Sequence, residues 1–287
     1  MGETNHDNVN LEKLWLVDNH TVKALLKEKG VAGYFANLEN GGSGAFDVCN
    51  DTLGCIDEGV DGDLNLAGSG ILLLEVEVKD GKLKLVSDKK LREVLTRMKE
   101  AGLLTITTHD GCGAMELFAK KHSTTPEEKE EAIRFGRETL KQLAGELGLQ
   151  YQHIKASEMH RPAELHTARV IYVDGTGHFN PSAIGYGHLP QGFGISRKFI
   201  NAKYALEEIK ISMDIAFGDH GFGKKFTKES PLIIIAIGGD ESKGEIPLDT
   251  LMAELQSGLD GSEYAGRFKI DGLEAPEVPK RDAASDW

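Results

Sequence analysis

The chain has 287 residues, of which 40% are hydrophobic and 28% are charged, a composition typical of a globular protein. Its formal net charge of −13 disfavours nucleic acid and anionic membrane surfaces as partners, because both require a basic surface. No apolar run is long enough to span a membrane, residues 1–10 lack the apolar core of a signal peptide, and three cysteines are too few for a disulfide framework. We therefore expect a cytoplasmic protein.

The first third of the chain predicts a helix followed by loops and a hairpin. Residues 11–29 show helical spacing of apolar side chains, and residues 37–44 form a loop rich in Gly and Asn. Two Cys-x-Asp units follow, beginning at Cys49 and Cys55. The alternating run 71–78, a Gly-containing turn and residues 83–86 are typical of a β-hairpin.

Strands and helices alternate through the rest of the chain, and we find no internal repeat. Helices are predicted at residues 89–101, 114–121, 126–147, 196–215 and 247–257, and strands at 103–107, 151–155, 168–173 and 231–237. The Thr125-Pro126-Glu127-Glu128 segment is a strong helix start. The run at 231–237 is apolar throughout, which indicates a buried parallel strand.

This alternation predicts an α/β fold with a central, mostly parallel sheet flanked by helices. We expect a single domain over residues 1–270, with a core at 45–180 and an extension at 181–270 packed on it. The acidic segment 271–287 is predicted to be a mobile tail. Binding sites in such folds form at the carboxyl ends of strands, which is where His109 falls.

His109 and Cys112 stand three residues apart in the predicted strand-to-helix turn. An imidazole and a thiolate at this spacing suit Zn²⁺, and a third ligand from Cys55 or Cys49 would leave the open fourth position of a catalytic site. We favour Cys55 as the third ligand. Cys49 is then interpreted as an ordinary core thiol. The competing interpretation of the whole motif is a buried structural Cys112 beside a hydrogen-bonded His109.

Asp57 is the candidate acid beside this metal. In an extended segment, residues 55 and 57 point to the same side. A zinc ion lowers the pKa of its bound water toward neutrality, and a neighbouring carboxylate can accept a hydrogen bond from that group and orient it. The pattern therefore predicts a metal-bound hydroxide that acts as a nucleophile, with Asp57 as its hydrogen-bond partner.

Together these motifs resemble the zinc framework of the β-class carbonic anhydrases. The resemblance lies in Cys55-Ile56-Asp57 followed by His109-Asp110-Gly111-Cys112-Gly113, and it covers residues 45–180. Leu66-Ala67-Gly68-Ser69-Gly70 is similar to the substrate loop of that family, and residues 170–177 resemble its last core strand. The Cys-x-Asp-Glu form at Cys55–Glu58 resembles a divergent branch of algal carbon-concentrating proteins, sometimes called the θ-class.

The resemblance implies reversible hydration of carbon dioxide to bicarbonate by a metal-bound hydroxide, in a homodimer or a multiple of dimers. The implied site residues are Cys55, His109 and Cys112 as zinc ligands, Asp57 as the catalytic carboxylate, and Ala67, Gly68 and Gly113 beside the substrate. Hydrolysis of CS₂ or COS on the same site, a catalytically silent metal-binding scaffold, and a thiol enzyme using Cys112 at a helix N-terminus are the alternatives.

One departure from the family pattern concerns an arginine. The family pairs its aspartate with an arginine that falls at Gly59 here, and Arg161 is the candidate replacement. Without such a cation, Asp57 could close the site by binding the metal. His160 and His166 are candidate proton carriers, and His178, His188 and His220 lie in glycine-rich loops that could line the same opening.

Overall fold

The computed structural model describes residues 11–27, 29–162, 165–185 and 187–276. These residues form an α/β fold in which parallel sheets are flanked by helices. The α-helices are α1 (Leu11–Val17), α2 (Asn19–Leu25), α3 (Gly30–Phe35), α4 (Lys89–Glu100), α5 (Gly113–His122), α6 (Pro126–Glu146), α7 (Ala202–Phe217) and α8 (Leu248–Leu259). The strands are β1 (Thr52–Gly54), β2 (Leu64–Asn65), β3 (Glu75–Lys79), β4 (Lys82–Ser87), β5 (Thr105–His109), β6 (Gln150–Ile154), β7 (Val170–Asp174), β8 (Gly192–Ile195), β9 (Leu232–Gly238) and β10 (Phe268–Glu274).

The strands form two four-stranded parallel sheets and one antiparallel hairpin, β3–β4. The first sheet has the order β2-β1-β5-β6, and the second sheet has the order β10-β9-β7-β8. If the strands of each sheet are numbered one to four in chain order, both sheets have the spatial order 2-1-3-4, with the second sheet taken from β8 to β10. The sequence shows no internal repeat, so this repeated strand order was not predicted.

The two sheets meet along the edges formed by β2 and β8. The Ser196 amide donates to the Asn65 carbonyl at 2.9 Å, and the Gly194 amide donates to the Ile56 carbonyl at 3.1 Å. Ile56 lies in the segment that follows β1, so this segment is anchored at the junction of the two sheets.

Buried apolar side chains explain the layers. The second sheet presents alternate residues of β7 and β9 to α2 and α3 on one face, and to α7 and α8 on the other. All of β9 is buried, as expected for a parallel strand that is covered on both faces. None of the helices among the described residues is both long and apolar enough to cross a membrane.

Several predicted elements are confirmed. The helix predicted at 89–101 is α4, which buries one apolar face consisting of Leu91, Val94, Leu95 and Met98. Helix α6 begins with a capping box, in which Thr125 accepts from the Glu128 amide and the Glu128 carboxylate accepts from the Thr125 amide.

Other predicted boundaries are wrong because contacts distant in sequence override the local pattern. The predicted helix 11–29 breaks at Asp18, whose carboxylate accepts from the Gln191 amide at 3.1 Å. Residues 71–73, predicted as strand, belong to a 3₁₀ helix over Ala67–Leu73. The predicted helix at 196 begins instead at Ala202, because Ser196 is bonded to β2.

The C-terminal boundary also differs from the prediction. Strand β10 pairs with β9 from Phe268 to Glu274, so residues 271–274 belong to the second sheet rather than to the predicted tail. The predicted tail from residue 277 onward lies outside the described residues.

Candidate metal centre

The turn between β5 and α5 brings His109 and Cys112 together. His109 is the last residue of β5, and Cys112 is the N-cap residue of α5. Between them, Gly111 has φ +63°, a left-handed conformation that costs glycine little. The turn therefore places an imidazole and a thiol at the carboxyl end of one strand.

Cys55 supplies the third donor from the neighbouring strand. Strands β1 and β5 are paired in parallel, with Leu53 opposite Ile106, so their carboxyl ends lie side by side. The donor atoms of Cys55, His109 and Cys112 all lie within 4.8 Å of one another, and all three residues are buried. Cys49 is exposed and is not part of this group, so the structure places Cys55, and not Cys49, beside His109 and Cys112.

The geometry of the group fits a tetrahedral metal ion. Two sulfurs that each lie ~2.3 Å from zinc at a tetrahedral angle are ~3.8 Å apart, and the Sγ atoms of Cys55 and Cys112 are 3.7 Å apart. Nδ1 of His109 lies 2.8 Å from the Asp110 carbonyl, while Nε2 is buried and has no hydrogen-bond partner among the described residues. Two thiolates and one imidazole suit zinc, and also cobalt or cadmium.

Electrostatics favour a cation at the centre of this group. Burial alone would lower the pKa of His109, but Cys55 and Asp57 outweigh it and raise the pKa to about 9. The pKa of Cys112 is lowered, chiefly because Cys55 donates a hydrogen bond to it, and the pKa of Cys55 is raised by the same bond and by burial. The surroundings thus stabilise positive charge at Nε2 of His109, where a bound metal would supply it.

Asp57 lies beside the three donors and is held by Arg161. The Arg161 guanidinium donates from Nε to Oδ1 at 2.8 Å and from Nη2 to Oδ2 at 2.7 Å, and both side chains are almost completely buried. Burial alone would raise the pKa of Asp57. The hydrogen bonds from Arg161, together with the electrostatic effect of the nearby histidines and of Arg161, lower it to about 2. Oδ2 is 3.8 Å from Nε2 of His109, so an ionised carboxylate faces the candidate metal position.

Arg161 occupies the space that Gly59 leaves open. A Cβ atom at Gly59 would lie 2.6 Å from Cγ of Arg161 and 3.0 Å from Oδ1 of Asp57. The glycine is therefore required by the arginine that arrives from the segment before β7. Arg161, the candidate cation named from the sequence, therefore pairs with Asp57 across 104 residues of the chain.

Asp57, Glu58 and His166 form a second group whose donor atoms lie close enough to hold a metal. The Glu58 carboxylate accepts from the Thr167 amide and lies 3.0 Å from Nδ1 of His166. Because Arg161 already neutralises Asp57, and Glu58 is bonded to protein donors, we interpret this group as a hydrogen-bonded network around the carboxylate of Asp57. Sequence reasoning did not identify Glu58 as part of the site.

The residues predicted to lie beside the substrate have different surroundings. The Gly68 amide donates to Sγ of Cys55 at 3.2 Å, and the Ala67 amide donates to Glu208 at 3.0 Å. Gly113 lines a cavity of about 490 Å³ that is also lined by Arg161 and His166. Substrate contact by these three residues remains a prediction, and the two loop amides already have protein partners.

The remaining histidines are distributed around the molecule. His220 lines the same cavity as His166. Its backbone carbonyl accepts a hydrogen bond of 2.6 Å from the His166 amide. His160 is exposed and lies 2.9 Å from Asp61, and His178 lies 3.8 Å from Glu245. Neither of the latter two is among the residues that line the cavity.

Comparison of the chain with protein families, curated proteins and solved structures found no match. The assignment of the metal ligands and of their surroundings rests on the residues and the geometry described above.

Proposed function

We propose that the protein is a zinc enzyme of the β-class carbonic anhydrase type, which catalyses the reversible hydration of carbon dioxide to bicarbonate. The observation that carries this proposal is the buried Asp57–Arg161 pair beside the Cys55, His109 and Cys112 donors. A purely structural zinc site is closed by four protein ligands. Three ligands next to an oriented, ionised carboxylate favour a catalytic site and a β-carbonic-anhydrase-like core at residues 45–180.

A zinc ion bound by these ligands would polarise and acidify a water molecule. Asp57 is placed to accept a hydrogen bond from a donor at the open position, and Arg161 fixes the direction in which the carboxylate points. Because the pKa of Asp57 is lowered to about 2, this side chain stays an acceptor throughout the neutral range. The pair therefore orients the reacting group without itself taking up the proton.

The cavity beside the site suits a small apolar substrate. Leu117, Ile211 and Ile215 contribute apolar surface to it, and carbon dioxide needs only such a surface and the oriented nucleophile. CS₂ and COS share its linear shape, so the assay below includes both as competing substrates.

His166 is placed to move protons between the site and the cavity. Its Nδ1 lies 3.0 Å from Glu58 and 3.9 Å from Asp57, and the residue lines the cavity. An imidazole accepts and releases protons near neutral pH. His166 is thus the candidate proton carrier.

Stopped-flow hydration of carbon dioxide by zinc-loaded protein tests the proposal. We expect activity in the wild type and a fall in kcat/KM of about 10- to 100-fold in Asp57→Asn. Asp88→Asn, a change at a carboxylate that neither belongs to the donor groups nor lines the cavity, is the matched control and should leave activity unchanged. Zinc-loaded wild type that hydrates no carbon dioxide between pH 7 and 9 would exclude this function, and turnover of CS₂ or COS instead would assign the related hydrolase.

The thiol-enzyme alternative makes a different prediction about Cys112. This side chain is only 4% exposed, which disfavours attack on a substrate. Alkylation that is suppressed by zinc supports a ligand role, whereas equally fast alkylation with and without zinc supports a nucleophile.

A further inference from the structure

Glu208 is a buried carboxyl group, and no basic side chain among the described residues forms an ion pair with it. It lies on α7, and its Oε1 accepts a hydrogen bond from the Ala67 amide at 3.0 Å. Oε2 is buried and has no hydrogen-bond partner among the described residues. Burial raises the pKa of Glu208 to about 8. An unpaired carboxyl in such a position is costly to bury, so its retention calls for a reason.

The partner of Glu208 opens an unusual backbone turn. Gly68, Ser69 and Gly70 have φ values of +55°, +57° and +93°, and a non-glycine residue in this region is strained. The Ser69 hydroxyl donates to the carbonyl of Thr107, which precedes the ligand His109 by two residues on β5. The turn is completely buried, so it holds its shape through these specific contacts.

This turn directs one amide at a metal ligand. The Gly68 amide donates to Sγ of Cys55 at 3.2 Å. Gly68 immediately follows Ala67, whose amide is bonded to Glu208. An N–H group aimed at a thiolate stabilises its negative charge and fixes its direction, as outer partners of metal ligands commonly do. The position of the Gly68 amide depends on where the preceding peptide group is held.

We propose that Glu208 is a positioning residue of the metal centre, which holds the Ala67–Gly70 turn so that the Gly68 amide stays bonded to the Cys55 thiolate. Helix α7 follows β8, in the second sheet, so the extension at 181–270 supplies part of the support of a site whose ligands all come from the first sheet. The inference rests on the metal centre of the proposed function but not on the reaction assigned to it.

The role requires an acceptor at Oε1 and not a negative charge. Glutamine keeps an oxygen at this position and matches the protonated carboxyl group in shape. Methionine has a similar length but leaves the Ala67 amide without a partner. Comparing Glu208→Gln with Glu208→Met therefore separates the hydrogen bond from the charge, and Glu207→Met, at an exposed position on the same helix, controls for the new side chain.

The experiment measures zinc affinity by competition with a chromogenic chelator, with the visible spectrum of the cobalt-substituted protein as a second readout. We expect Glu208→Met to bind zinc about tenfold more weakly or worse and to change the cobalt spectrum. Glu208→Gln and Glu207→Met should resemble the wild type in both. Amide exchange at residues 67–68 of the metal-free protein should be faster in Glu208→Met.

Two results would overturn the inference. One is a folded Glu208→Met protein that binds zinc as tightly as the wild type. This result would show that Glu208 contributes to the stability of the fold and not to the metal centre. The other is an equal loss in the Gln variant, which would show that the charge matters. If the Met variant does not fold, amide exchange in the wild type decides, because an unprotected Gly68 amide is incompatible with the proposal. Normal zinc affinity without carbon dioxide hydration would refute the proposed reaction and leave this inference standing.

Discussion

Replacing Arg161 by methionine removes the cation from a buried ion pair and leaves Asp57 uncompensated. The two side chains are 1% and 3% exposed and are joined by two hydrogen bonds of 2.7 and 2.8 Å. Breaking a buried pair by removing one partner costs about 3–5 kcal/mol. The pKa of Asp57, lowered from 3.8 to about 2, corresponds to roughly 2 kcal/mol at 1.36 kcal/mol per unit. We therefore expect Arg161→Met to lose about 2–4 kcal/mol of stability at neutral pH.

The loss should depend on pH in a defined direction. Because the pKa of Asp57 is lower in the folded state than its ordinary value of 3.8, the stabilisation is fully present above that value and disappears as the pH falls toward 2. The difference between wild type and Arg161→Met should accordingly narrow in acid. Urea unfolding at pH 7 and at successively lower pH values measures both quantities.

Gly59 allows a rescue that tests the geometry as well as the charge. Gly59→Arg alone should destabilise the protein, since its Cβ would lie 2.6 Å from Cγ of Arg161, and overpacking of this kind costs about 1–3 kcal/mol. In an Arg161→Ala background that Cγ atom is absent. The remaining close neighbours of the new Cβ are Cε of Met159 at 2.9 Å, which is the end of a flexible side chain, and Oδ1 of Asp57 at 3.0 Å, the group that the new arginine would neutralise. The double variant should be more stable and more active than the sum of the two single changes predicts.

Two outcomes would refute this reasoning. A change of less than about 0.5 kcal/mol in Arg161→Met, with unchanged kcat/KM for carbon dioxide, would show that the pair supports neither the fold nor the site. Strict additivity in the double variant would show that Arg161 and Gly59 do not share one space.

Three further predictions follow from the same geometry. Cys55→Ser should reduce bound zinc well below one ion per chain by elemental analysis, whereas Cys49→Ser at the exposed thiol should not. Because the pKa of Glu208 is raised to about 8, the folded state binds more protons than the unfolded state between pH 4.5 and 8, and wild-type stability should fall as the pH rises through this range. Glu208→Gln should remove that fall, which amounts to at most about 3 kcal/mol between pH 6 and 9, in urea titrations at these two pH values. An equal loss of stability between pH 6 and 9 in both proteins would contradict this prediction. His166→Gln should lower kcat about tenfold or more with little change in kcat/KM, and His160→Gln should change neither; a similar effect of both would exclude a specific carrier.

The ligands were predictable from the sequence because their geometry is local. The strand–turn–helix that carries His109 and Cys112 spans few residues, and its Gly111 marks the turn. Cys55 and Asp57 are two residues apart after another apolar segment. Parallel pairing of adjacent strands then brings the two motifs to one edge, which follows from the α/β pattern alone.

The support of the site was not predictable in the same way. The sequence makes Arg161 only a candidate, and it places Glu58 in a Cys-x-Asp-Glu motif without indicating what the side chain contacts. It gives Glu208 no visible link to the site. Glu208 lies on a helix 141 residues from Ala67, and a glutamate in an amphipathic helix is usually exposed. Its position on the buried face of α7 was the available signal, since Ala205 and Ile209 share that face.

The repeated strand order suggests why the metal centre lies where the two sheets join. In the second sheet, the strands that correspond to β1 and β5 are β7 and β9, which end in Asp174 and Gly238. Asp174 accepts from the Thr176 and Gly177 amides, so it stabilises its own turn. Within the part of the chain that the structure describes, no group of metal-binding donors forms at the ends of β7 and β9, but β8 anchors the Cys55–Asp57 segment and α7 supplies Glu208. The first half of the chain thus supplies the donors, and the second half supplies their support. A core ending at residue 180 would leave the Ile56 carbonyl and the Ala67 amide without these partners, which explains why the extension packs against the site.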